Sequence, residues 1–62
     1  MSREIPGFDL MATQAENARV VAEKAQRGEL MPKQAIYHLI GISAYISEVS
    51  RQMLDDLEEG RL

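Results

Sequence analysis

The segment Arg27-Gly28-Glu29-Leu30-Met31-Pro32 decides the fold. Gly28 stands where a helix ends in the left-handed conformation that glycine adopts without steric penalty. Pro32 stands where the next helix begins, since a first-turn residue has no intrahelical use for its N–H. Between them, residues 28–31 form a short connector. So short a link between two long helices makes them antiparallel neighbours.

Before this connector, the first helix is predicted over about residues 9–27. Asp9 is its expected N-cap, accepting hydrogen bonds from the free amides of the first turn. Thr13-Gln14-Ala15-Glu16 offers a second, weaker capping box. The second helix is predicted over about residues 32–59, with Gly60 stopping it. Residues 1–8, with the Pro6-Gly7 turn signal, are expected to form an N-terminal arm. The predicted class is all-α: a two-helix antiparallel hairpin, residues 9–62, that homodimerises into a four-helix bundle.

The dimer follows from size and from the helix faces. A chain of 62 residues buries only about 60% of its unfolded surface, and such scaffolds usually need a disulfide, a metal or oligomerisation. Cysteine is absent and there is one histidine, so oligomerisation is the expected support and no metal or cofactor is expected. At about 100° per residue, Met11, Ala15, Ala18, Ala22 and Ala25 make a seam on the first helix. On the second, Ile36, Leu39, Ser43, Ile46, Ser50, Met53 and Leu57 make another. Ile40 and Leu54 flank it on one side; Ala35, Ile42 and Val49 flank it on the other. Together they span about half the circumference, more than one partner helix covers. The expected oligomer interface is therefore Ala15, Ala18, Ala22, Ile42, Ile46, Val49 and Met53.

Within the second helix, Tyr37-His38-Leu39-Ile40-Gly41-Ile42-Ser43-Ala44-Tyr45 carries a different signal. Tyr37, Gly41 and Tyr45 recur every four residues on the side away from the Ile/Leu seam. An interior helical glycine costs about 1 kcal/mol relative to alanine. Helix-turn-helix proteins place a glycine in their turn, with a small residue four before it and an aliphatic six after. Tyr37 and Ser47 hold those positions here, so that pattern fails. One bland account has the tyrosines packing on Phe8 and the arm. The functional account makes Tyr37, His38, Gly41, Tyr45 and Glu48 a partner-binding site, because tyrosine is enriched at binding hot spots and glycine admits a partner close to the backbone.

Charge and motif narrow the classes further. Ten acidic and seven basic residues give a net charge of −3, which argues against a nucleic-acid partner. No apolar run is long enough to span a membrane, and Met1–Gln14 lacks the apolar centre of a signal peptide. A cytoplasmic, soluble protein is expected. Ser43 and Ser50 have no companion base, and no phosphate-binding glycine loop is present, so catalysis is not expected. The architecture is similar to that of other short hairpins that dimerise into four-helix bundles, with no shared motif. The function expected is that of a small homo-oligomeric protein that binds and modulates an unidentified larger protein, as inhibitors or adaptors do. Its length matches short reading frames of the kind phage genomes carry. The alternative is an oligomer that sequesters a small anionic ligand such as a nucleotide, with tyrosines stacking the base and arginines gathered around the phosphates.

Overall fold

A computed structural model gives the structure of the protein over residues 5–61. Two helices account for most of it: α1, Phe8–Gln26, and α2, Pro32–Glu58. They pack side by side as a helical hairpin. Residues 1–4 of the expected arm lie outside the described residues, and Phe8 is already helical.

The connector closes as the sequence implies. Gly28 has φ 76; its N–H donates to the Ala25 carbonyl at 3.1 Å and the Glu29 N–H to the Lys24 carbonyl at 2.8 Å. This crossed pair is a Schellman cap, which satisfies carbonyls that the helix end would leave orphaned. Pro32 opens α2 in the first turn, behind an extended Met31. Just beyond, Ala35 is 3% exposed, the one buried apolar side chain among the described residues. Ala25 on α1 is half-buried at the same end of the hairpin, so small side chains let the helices close there.

The start of α1 departs from expectation. Gly7, with φ 107, is the N-cap, and Asp9 sits inside the first turn. The Asp9 carboxylate still accepts from the amides of Gly7 (3.3 Å) and Leu10 (2.9 Å). Its charge also favours a helix N-terminus. Thr13 opens no second start: it lies within α1, and its hydroxyl donates to the Asp9 carbonyl at 3.0 Å. Gly7 is buried, and a Cβ built there would stand 2.5 Å from the Met53 sulfur. The chain therefore passes beneath Met53 as it enters α1.

The seam between the helices is rotated from the expected one. On α1 the half-buried positions at heptad spacing are Met11, Gln14, Ala18, Val21 and Ala25; Ala15 and Ala22 are exposed. On α2 the seam runs Ala35, Leu39, Ile42, Ile46, Val49, Met53 and Asp56, while Ile36, Ser43, Ser50 and Leu57 are exposed. Each expected seam shares several members with the observed one and differs by one residue at the others. Area favours the observed seam at Val21, Ile42 and Val49, while at the ends of α2 Ala35 and Asp56 face inward in place of Ile36 and Leu57. Val21 gives more apolar surface to a neighbour than Ala22, and Ile42 and Val49 give more than Ser43 and Ser50. Ala18, Ile42, Ile46, Val49 and Met53, expected between two subunits, therefore line the packing of the chain's own two helices.

The result is thin: the Cα trace measures 45 × 25 × 9 Å. Two helices side by side have two broad faces, and no third element among the described residues covers either.

Candidate functional site

One broad face carries the tyrosines. Tyr37 and Tyr45 are two helical turns apart on α2, about 12 Å along the axis. They are 64% and 42% exposed. Gly41 lies midway. With His38, Ile42 and Gln14 these residues line an open notch of about 300 Å³. Gln14 comes from α1; it was not expected at the site. It occupies a seam position, and weighing Val21 against Ala22 in the α1 pattern is the signal that would have placed it there. Glu48, the fifth expected site residue, is exposed about one turn beyond Tyr45 and does not line the notch.

The backbone at Gly41 is regular helix, and α2 runs through it unbroken. A Cβ placed on Gly41 would meet nothing within 4 Å. No neighbour among the described residues therefore requires glycine here. The cost in helix propensity is met with no return inside the hairpin.

The electrostatics are sparse. Lys33 places its ammonium 5.9 Å from the centroid of the Tyr37 ring, near the outer limit of a cation–π contact. Among the described residues no arginine lines the notch. Arg19 bridges Glu16 and Glu23, Arg27 pairs with Glu29, and Arg61 pairs with Asp56 and Glu59. The Arg19 guanidinium holds the Glu16 carboxyl below its ordinary range, and Arg61 does the same for Asp56. Among the described residues no cluster of three or more His, Asp or Glu is placed to hold a metal, and no helix is long and apolar enough to cross a membrane.

The opposite broad face has its own depression. Ile5, Phe8, Met11, Ser50, Leu54 and Leu57 help line an apolar groove of about 420 Å³ at the open end of the hairpin. The Ser50 hydroxyl there lies 3.1 Å from the Met11 sulfur. Compared with family models, curated proteins and solved structures, the chain finds no match in any of the three.

Proposed function

We propose that this chain is a small homo-oligomeric interaction protein that binds a larger protein through the tyrosine notch and modulates it. The observation that carries this reading is Gly41: an exposed mid-helix glycine, flanked by exposed tyrosines, that no neighbour among the described residues requires. Open space above a helix backbone, bounded by two aromatic rings, is suited to a side chain of a partner that reaches the backbone itself. Tyrosine adds broad contact area with few rotatable bonds to freeze, and a hydroxyl for the rim. Glu48 and Gln52 extend α2 beyond the notch with polar, exposed side chains, and the chain is net acidic, so a basic partner surface fits best.

The test is a double variant, Tyr37→Ala with Tyr45→Ala, used as bait beside the parent protein. Both side chains project from the hairpin, so helicity and solution mass should be retained. Partner capture should be lost. Capture at the parent level would overturn the site.

A further inference from the structure

We infer that the second broad face is a dimer interface whose occupant is a second copy of this chain, related by a twofold axis that passes at Ser47. This rests on the homo-oligomeric part of the proposed function and identifies a face and register that it leaves open.

The exposed area favours a second copy. The chain exposes 5167 Å². A compact monomer of 7.0 kDa exposes about 4,000 Å² by the size scaling of folded proteins. The radius of gyration, 14.7 Å, likewise exceeds the roughly 11 Å of a compact domain of this length. The surplus, about 1,100 Å², is of the size one partner contributes to a stable interface, about 800 Å².

The residue pattern on α2 favours a second copy independently. Because the chain's own packing takes Ala35, Ile42 and Val49, a separate stripe remains about a quarter-turn away: Ile36, Ile40, Ser43, Ser47, Ser50, Leu54 and Leu57, at alternating spacings of four and three. All seven are exposed. The four aliphatic members are between 54% and 60% exposed. The stripe reads the same in both directions: two aliphatics, three serines, two aliphatics. An antiparallel pairing of two α2 helices about Ser47 sets Ile36 against the partner's Leu57, Ile40 against the partner's Leu54, and Ser43 against the partner's Ser50. Such self-complementarity is what a twofold, isologous interface demands, since one patch must serve both subunits.

The centre suits an axis. Serine side chains are short enough for two helices to approach closely, and a helical serine can satisfy its hydroxyl on a carbonyl of its own preceding turn, so it tolerates burial. Phe8, Ala15 and Ala22 follow one another at heptad spacing on α1, and Phe8 lines the groove with Leu54 and Leu57. The same face thus continues across α1 with small side chains. The tyrosine notch lies on the other face, so the dimer would display two notches, pointing outward in opposite directions.

Cysteine is absent from the native chain, which makes cross-linking clean. Ser47→Cys should oxidise to a covalent dimer of twice 7.0 kDa at micromolar protein. Ser43→Cys and Ser50→Cys should each stay largely uncross-linked alone and should link on mixing. Gly41→Cys, on the notch face, should not link. A dimeric protein whose Ser47→Cys form fails to cross-link would overturn the interface, as would Gly41→Cys linking at an equal rate. Self-linking of Ser43→Cys would overturn the antiparallel register. A clean monomer by light scattering at micromolar concentration would overturn the dimer itself. These readouts need no partner protein, so they stand or fall apart from the notch.

Discussion

Two glycines with opposite surroundings make the sharpest residue-scale contrast. Gly7 has φ 107 and no room for a Cβ beneath Met53. Gly41 has helical backbone and open space. Gly7→Ala should destabilise the protein by about 1–2 kcal/mol, because a left-handed backbone is strained for any L side chain and Met53 must also move. Gly41→Ala should stabilise by about 1 kcal/mol, because only helix propensity changes. Chemical denaturation of the two variants beside the parent checks both signs. If Gly41 serves a partner, its alanine variant will be the more stable protein and the weaker binder. The tyrosines and the glycine between them were legible from spacing alone, since a helix sets which residues share a side. Gln14 was not, because its place depends on how α1 is turned toward α2.

At the scale of the element, each helix is closed by local chemistry. The caps at Gly28 and Gly60 repeat the same crossed bonds: the Gly60 N–H donates to Leu57 at 3.2 Å and the Arg61 N–H to Asp56 at 2.7 Å. The acidic end of α2 opposes the helix dipole, and its last turn holds no basic residue. Arg61, just past the cap, offsets this by pairing with Asp56 and Glu59. These pairs give acid sensitivity a definite sign. Glu16 and Asp56 have folded-state pKa values below their ordinary 4.5 and 3.8, held down chiefly by hydrogen bonds from Arg19 and Arg61. The stability they confer is complete above those ordinary values and is lost as pH falls through the lower folded ones. The melting temperature should therefore drop modestly on acidification below about pH 4, and less so in high salt, because the pairs are exposed and screened. Arg19→Gln should remove the Glu16 share of that drop. Melts followed by circular dichroism across pH decide it; an acid limb unchanged in Arg19→Gln would assign the drop to other carboxylates.

At the scale of the whole molecule, the hairpin is a thin layer with one buried apolar side chain among its described residues. A small domain retains only a few kcal/mol of net stability, so covering a face matters as much as any internal contact. If a second copy covers the Ile36–Leu57 face, the melting temperature will rise with protein concentration, because association stabilises the folded form by mass action. Ile40→Glu should abolish that dependence and raise the dimer dissociation constant at least tenfold, as measured by analytical ultracentrifugation. A melting temperature independent of concentration in the parent protein would argue for a free-standing hairpin.

Helix positions, the connector and the order of elements were determined by the sequence itself, because turn glycines, Pro32 and hydrophobic periodicity act over a few neighbouring residues. The rotation of each helix about its axis was decided only in the tertiary structure. Both α1 and α2 carry two overlapping apolar seams, and local periodicity cannot rank them. The packing of one helix on the other does so, by taking Val21, Ile42 and Val49 inward and leaving Ile36, Ile40, Leu54 and Leu57 outside. The physical reason is that a helix face is buried only where the other helix meets it, which is a property of two helices together and of neither alone.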